Sequence, residues 1–276
     1  MTPPYEVQPN PDAAAPESRP ASHPAAAATE LMPDGIVRAL TAGFGRLLAL
    51  THLKQRPGAW SAVVDTEAGR VFVRAAAGGG IARAAVEGLR REALVAHVVS
   101  GLTPPLLARY STSGRHVLVF GHAPGRRADL RPGSADLALV SAELHWIART
   151  WTQAGVPPLA HRWRGDEPHV GRPPFGGDVL IHPDLATNLR VHRTTSRVWA
   201  LNWGSVLTGP AWAQFALLYP PLRRAGHEPH EARAWLAQFA PWHQAPPERV
   251  RALATALRTG TTSTQEARYW DELRTP

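Results

Sequence analysis

The stretch VLIHPDLATNLRVHRTTSRVWALNWG, which begins at Val179, carries polar side chains at positions typical of a phosphoryl-transfer site. His182 and Asp184 form an H-x-D loop after an apolar run, and a second strand-like run leads into Asn202. Phosphoryl transfer depends on positioning and charge neutralisation, with an aspartate to orient the attacking hydroxyl and oxygen ligands to hold Mg²⁺. The pattern therefore predicts this chemistry, but with a neutral amide at Asn202 where Mg²⁺ prefers an anionic oxygen.

The composition limits the class of protein. The 276 residues suffice for one two-lobed domain or two small domains. The absence of cysteine excludes disulfides, thiolate catalysis and cysteine-ligated metals. No apolar run approaches the roughly 18 residues of a membrane span, and the N-terminus lacks the features of a signal peptide. We therefore expect a cytoplasmic protein with no membrane contact.

The chain is basic, with Lys+Arg 30 against Asp+Glu 22 and a net charge of +8. Lys54 is the single lysine. A basic balance can serve nucleic acid or an anionic substrate, but a GC-rich genome that encodes arginine in place of lysine explains it more simply. The arginines are scattered, without a basic helix, an RNA-binding motif or zinc-finger spacing. Their distribution argues against a nucleic-acid partner.

The first half of the chain predicts a disordered tail followed by a β-rich unit. Residues 1–30 are mostly Pro, Ala and small polar residues, which cannot bury enough apolar surface to become ordered. A short helix is predicted over residues 33–42, and WSAVVDTEAGRVFVRA predicts two strands around a turn at residues 67–69. GGGIARAAVEGLRREALVAHVV predicts a helix with Glu92 on its apolar face. Its glycines favour a loop into that helix over a phosphate cradle.

The second half of the chain is mostly helical. RHVLVF predicts a strand, GHAPGRRADLRPG a connector, and Ser134 the cap of a helix through Trp151. Further helices are predicted over 210–225, 228–240 and 247–258. The fold class is therefore α+β with two lobes and a hinge near residues 121–125. The predicted segments are a disordered tail over residues 1–30, a β-rich N-lobe over residues 31–121 and a mostly helical C-lobe over residues 122–276.

Four segments, in this order, resemble aminoglycoside phosphotransferases and their choline-kinase-like relatives, which share the protein-kinase fold. They are RVFVRA, RREALV, FGHAPGRRADLRPGSADL and LIHPDLATNLRV…VWALNWGSVLTGPAWAQFALL. The resemblance implies that Asp184 is the catalytic base and His182 its usual neighbour. It also implies that Arg74 and Glu92 form the phosphate-binding pair and that His122 belongs to the nucleotide-binding hinge. The cofactors would be ATP or GTP with Mg²⁺ if the protein is active, and none otherwise.

The chain also departs from the family's pattern at four positions. Arg74 stands in place of lysine, and a planar guanidinium is not interchangeable with an ammonium group. Asn188 follows Asp184 by four residues instead of five, so either a one-residue deletion keeps it as a metal ligand or Leu189 takes that place. Asn202 replaces the main magnesium carboxylate. Gln214 replaces an aspartate that braces the catalytic loop. The metal positions Asn188 and Asn202 are therefore predicted to be weak or lost.

Two functions follow from these departures. The first is a pseudokinase-like binding or accessory protein, which holds a small molecule or a peptide in the interlobe cleft or contacts a protein partner. The second is an active ATP- or GTP-dependent phosphotransferase acting on a hydroxyl of a metabolite or peptide, for example within a peptide-modification complex. From residue 141 onward, 15 arginines face 11 acidic residues, which is the wrong sign for a polycationic aminoglycoside.

Two further features have alternative interpretations. HEPHE, which begins at His227, is a helix start or, less commonly, a metal site. Trp199, Trp203 and Trp212 either pack in the core or form a wall for an apolar ligand.

Overall fold

The computed structural model describes residues 22–24, 32–52, 58–78, 82–112, 114–147, 149, 155–159 and 175–275. Its N-terminal part is built on a six-stranded antiparallel sheet, ordered β1-β2-β3-β4-β6-β5. The strands are β1 (Ser22–Pro24), β2 (Leu47–His52), β3 (Ala59–Thr66), β4 (Gly69–Ala77), β5 (Leu106–Thr112) and β6 (Arg115–Gly121). The predicted hairpin is the β3–β4 pair, and RHVLVF forms β6.

The two faces of this sheet pack against different helices, because successive side chains of a strand alternate. On one face, Val71 and Val73 of β4 join a core with helix α1 (Asp34–Phe44). On the other face, Phe72 joins a second core with helix α2 (Arg83–Val95). Both helices match the predicted segments. By the same alternation, Arg74 lies on the face that packs against α2.

The C-terminal part is mostly helical. Its helices are α3 (Asp136–Ile147), α4 (Leu185–Asn188), α5 (Ala211–Ala216), α6 (Tyr219–Arg224), α7 (Pro229–Ala237), α8 (Ala240–His243), α9 (Pro247–Gly260) and α10 (Thr264–Arg274). Short strands form two small sheets, β10-β9-β7 and β11-β8. They are β7 (Arg126–Arg127), β8 (Val179–Ile181), β9 (Leu189–His192), β10 (Arg197–Ala200) and β11 (Leu207–Gly209). One large apolar core joins these elements. The α+β fold class is confirmed.

Two predicted helices differ from the observed ones, and one observed helix was not predicted. The segment 210–225 is divided into α5 and α6, because Pro220 and Pro221 lack an N–H and occupy the first turn of a new helix. The segment 228–240 ends at Ala237, and α8 follows separately. Helix α10 was not predicted; the Ser263 hydroxyl caps it by accepting from the Glu266 N–H at 3.3 Å.

The tail and the domain boundaries are only partly covered. Ser22–Pro24, inside the predicted tail, pair with β2. The rest of that tail lies outside the described residues. Lys54 and Trp151 also lie outside them. Ser134 caps α3 as predicted, by accepting from the Asp136 N–H at 3.2 Å. The lobe boundaries stay a prediction. None of the described helices has the length and apolarity to cross a membrane.

Candidate functional site

The first part of the site is an ion pair between β4 and α2. The Arg74 guanidinium contacts the Glu92 carboxylate, which is buried. Burial raises the pKa of Glu92, and Arg74 and the backbone N–H of Trp203 act in the opposite direction. The structure therefore brings the two predicted residues together. Glu92 is buried, and its arginine partner lies on the neighbouring sheet.

Helix α2 also holds the loop that follows Asn202. The Arg91 Nε–H donates to the carbonyl of Gly204 at 2.9 Å. The backbones of helix α2 and of this loop approach so closely that a Cβ on Gly204 would lie 3.0 Å from the carbonyl oxygen of Gly88. Together with the Glu92–Trp203 hydrogen bond, these contacts fix the loop against the N-terminal part of the molecule.

His182 is fully buried and does not reach solvent. Its Nε2 lies 2.8 Å from the Leu201 carbonyl, to which it donates, and its ring meets Trp203 edge to face at 4.9 Å. Burial lowers the pKa of His182, so the ring is neutral at pH 7. The His182 side chain thus holds the loop at Leu201, and its place in the catalytic set stays a prediction.

Gln214 braces the same loop from helix α5. Its Oε1 accepts from the His182 N–H at 2.7 Å, and its Nε2 donates to the His182 carbonyl at 3.3 Å. A carboxylate accepts but does not donate when ionised, so the amide satisfies one more backbone group than an aspartate would. The substitution at Gln214 is therefore not a structural defect, since the brace is formed.

Asp184 is exposed at the start of helix α4. The Ser205 hydroxyl donates to its Oδ2 at 3.4 Å, a long hydrogen bond. Its backbone carbonyl accepts from Asn188 Nδ2 at 2.8 Å. The carboxylate is thus held near the loop of Asn202 and open to solvent, as a residue that orients a hydroxyl must be. Ser205 was not predicted, and no motif in the sequence pointed to it.

Asn188 and Asn202 meet despite the shortened loop. The Asn202 amide donates to the Asn188 side-chain carbonyl oxygen. Leu189 is buried in the core at the start of β9, so it is not a ligand, and Asn188 keeps the position facing Asn202. Asn202 has a positive φ of 62°, a conformation that asparagine tolerates better than most residues.

The hinge segment follows β6 and is held by charge. His122 is half-buried, and burial followed by the charges of Arg70 and Arg190 lowers its pKa. Further along, Arg126 contacts the fully buried carboxylate of Asp136 through two hydrogen bonds, at 2.7 and 2.9 Å. Burial alone would raise the pKa of Asp136, but these contacts lower it.

The HEPHE segment and the tryptophans are mainly structural. The His227 ring, which is buried, donates to the Leu130 carbonyl at 2.7 Å, and Glu228 and Glu231 form a capping box at the start of α7. The alternative interpretation of this segment as a metal site is therefore wrong. Trp203 and Trp212 are buried in the core, whereas Trp199 is only partly buried.

No protein-family model and no curated protein matches the sequence. Solved structures match it in fold. A thermostable mutant of aminoglycoside phosphotransferase APH(4)-Ia, in ternary complex with AMP-PNP and hygromycin B, has a TM-score of 0.59 at 13% identity, covering 86% of this chain and 96% of that one. The choline kinase LicA from Streptococcus pneumoniae has a TM-score of 0.56 at 11% identity, covering 87% and 98%.

A third structure, spectinomycin phosphotransferase APH(9)-Ia with ADP and spectinomycin, has a TM-score of 0.54 at 10% identity, covering 87% of this chain and 94% of that one. The chain therefore has the two-lobed, kinase-like fold of these enzymes, and the predicted resemblance is confirmed at the level of the fold.

Proposed function

Given the kinase-like fold, we propose that this protein is a pseudokinase-like binding protein whose magnesium-dependent chemistry is weakened or lost. It holds a small molecule or a peptide in the cleft between the sheet and the helical part, as an accessory protein that can also contact a protein partner. The observation that carries the proposal is the hydrogen bond between the side chains of Asn202 and Asn188.

The donor set does not fit Mg²⁺. The ion prefers anionic oxygens in near-ideal octahedral geometry, but the two facing side chains are neutral amides, and the Asn202 amide donates to the Asn188 side-chain oxygen. The Asn188 amide nitrogen donates in turn to the Asp184 carbonyl at 2.8 Å. Among the described residues, no cluster of three or more His, Asp or Glu side chains could hold a metal.

The phosphate position differs too. Arg74 presents a guanidinium where the resemblance implies an ammonium group, and that guanidinium is engaged by Glu92. A guanidinium offers a planar fork of donors and is not equivalent to the point charge of lysine. ATP or GTP would therefore meet altered contacts at the phosphates as well as at the metal.

The charge of the C-terminal part bears on the ligand. Hygromycin B and spectinomycin are bound by two of the similar solved proteins. In this chain, 15 arginines against 11 acidic residues follow position 141, which disfavours a polycation. Resistance to aminoglycosides is therefore not part of the proposal.

Calorimetry with ATP and with GTP, each with Mg²⁺ and with EDTA, tests the proposal. We expect weak nucleotide binding that Mg²⁺ does not strengthen. Binding that is tight and at least tenfold stronger with Mg²⁺ would refute the loss of the metal site.

A second candidate is a functional phosphotransferase, because Asp184 remains exposed and contacts Ser205. It would transfer the terminal phosphate of ATP or GTP to a hydroxyl of a metabolite or peptide, with Asp184 orienting that hydroxyl. Nucleotide turnover in the presence of candidate acceptors, compared with an Asp184→Ala control, separates the candidates. Equal rates for the two proteins would exclude the enzyme.

A further inference from the structure

One face of the small β10-β9-β7 sheet carries two facing arginines. Arg127 of β7 pairs in register with Arg190 of β9, and Trp199 of β10 pairs with Arg190 on its other side. Residues that are directly opposite in an antiparallel pair project to the same face. The row Arg127–Arg190–Trp199 is therefore one continuous surface, with two positive charges side by side.

This arrangement is unfavourable as it stands. Like charges directly opposite each other destabilise a strand pair. Other arginines nearby have carboxylate partners: Arg126 has Asp136, and Arg131 has Asp129. Arg127, by contrast, has no carboxylate partner among the described residues, and neither has Arg190, although the latter donates to the Gly125 carbonyl at 2.8 Å.

The two arginines lie at the hinge. Arg190 contacts the backbone of Gly125, and its charge acts on His122. Arg74 lies on β4 of the six-stranded sheet, whereas Arg127 and Arg190 lie on the separate three-stranded sheet.

Trp199 adds a donor that lacks an acceptor. Its indole N–H is buried and has no hydrogen-bond partner among the described residues. An unsatisfied buried donor is costly, and it lies on the residue next to Arg190 in the row. The row thus combines uncompensated positive charge with an unused N–H.

We propose that Arg127 and Arg190 bind an anionic group, a phosphate or a carboxylate, of the ligand that the cleft holds. The inference rests on the proposed binding function and specifies its ligand as an acid. Guanidinium forks match the two oxygens of such groups. A bound anion would attract both arginines and offset the repulsion between them. The ligand class agrees with the net charge of +8.

The test uses the full chain in EDTA at constant ionic strength. Inorganic pyrophosphate and succinate are titrated separately, and the melting temperature and heat of binding are followed. We compare Arg127→Gln with the control Arg251→Gln, which removes the same charge from an exposed position on α9. Arg190→Lys keeps the charge but loses the fork.

Wild type and Arg251→Gln should bind one of the two anions saturably. Arg127→Gln should bind it about tenfold more weakly, the loss of one charge-assisted contact, and Arg190→Lys should fall between them. Without anion, Arg127→Gln should melt at the same temperature as wild type or higher, because repulsion is relieved. A response to pyrophosphate alone identifies phosphate, and a response to succinate alone identifies carboxylate.

Equal responses in wild type, Arg127→Gln and Arg251→Gln, or no saturable response in any of them, would overturn the inference. The proposed function would survive that result, because it depends on whether Mg²⁺ strengthens nucleotide binding. Conversely, strong magnesium-dependent ATP binding together with a pyrophosphate response that requires Arg127 would refute the proposed function and leave the anion site in place.

Discussion

Two regions of the site contrast: the contacts that hold its loop, which we call the scaffold, and the Asn188–Asn202 pair, which is the proposed metal position. In the scaffold, Arg74 still pairs with Glu92, and Gln214 still braces the loop at His182. At the proposed metal position, the Asn202 amide donates to the Asn188 oxygen, where the resemblance implies a carboxylate. Both sets of contacts support the fold, but only phosphoryl transfer would need an anionic oxygen at Asn202.

Removing the guanidinium of Arg74 should have the largest effect on the scaffold. In Arg74→Met the buried Glu92 carboxylate loses its partner, and breaking a buried pair in this way costs about 3–5 kcal/mol of unfolding free energy. Arg74→Lys, which keeps the charge, should cost less. Urea unfolding at pH 7 measures both. A loss in Arg74→Met no larger than that in Arg74→Lys would show that the pair does not support the fold.

The same variant has a defined pH dependence. Burial raises the pKa of Glu92 above its usual value of 4.5, and Arg74→Met removes the charge that opposes this shift. The folded variant then binds more protons than its unfolded chain above about pH 4.5, so its stability should fall as pH rises through this window. Urea unfolding between pH 5 and pH 8 checks the sign.

Gly125 ends the hinge just before β7 and packs against β9, and its replacement should have the next largest effect. Its φ is +108°, and a Cβ would lie 2.4 Å from the Val191 carbonyl oxygen. Gly125→Ala should therefore cost about 3 kcal/mol, from strain and displacement of the strand. Gly133→Ala is the control, since Gly133 also has a positive φ, +76°, but open space around it. Equal losses in thermal unfolding would show that only φ matters.

Variants of Gln214 test the hydrogen bonds that hold the loop at His182. Gln214→Leu leaves the N–H and carbonyl of His182 without their partners inside the core, which should cost about 2 kcal/mol. Gln214→Asp restores the residue of the family's pattern but loses the donation to the carbonyl and is shorter. It should lie between wild type and the leucine variant in urea unfolding. An aspartate variant more stable than wild type would mean that the amide is a defect after all.

The sequence predicted best the features that one periodic pattern determines. Periodicity placed Glu92 on the apolar face of its helix, and the resemblance, not a pattern of the sequence, implied Arg74 as its partner. The contact between Asn188 and Asn202 depends on how the shortened loop closes, which no pattern encodes. The facing of Arg127 and Arg190 was equally unpredictable, because a two-residue strand carries no period of its own.

The smallest effect, and the most decisive for function, is expected at Asn202. Asn202→Asp replaces the amide that donates to the Asn188 oxygen with an acceptor. Asn188 cannot turn its amide to meet the new carboxylate without losing its bond to the Asp184 carbonyl, so stability should fall by about 1 kcal/mol.

Asn202→Gly is the control for Asn202→Asp, because glycine accepts the positive φ and adds no charge. The melting temperatures of wild type and both variants, with and without Mg-ATP, separate the two functions. A melting temperature that rises with Mg-ATP only in the aspartate variant would mean that a single carboxylate restores the metal site of a phosphotransferase. We expect no rise in any of the three and a lower baseline for Asn202→Asp, because the Asn188 side chain that faces the new carboxylate is a neutral amide already engaged with the Asp184 carbonyl.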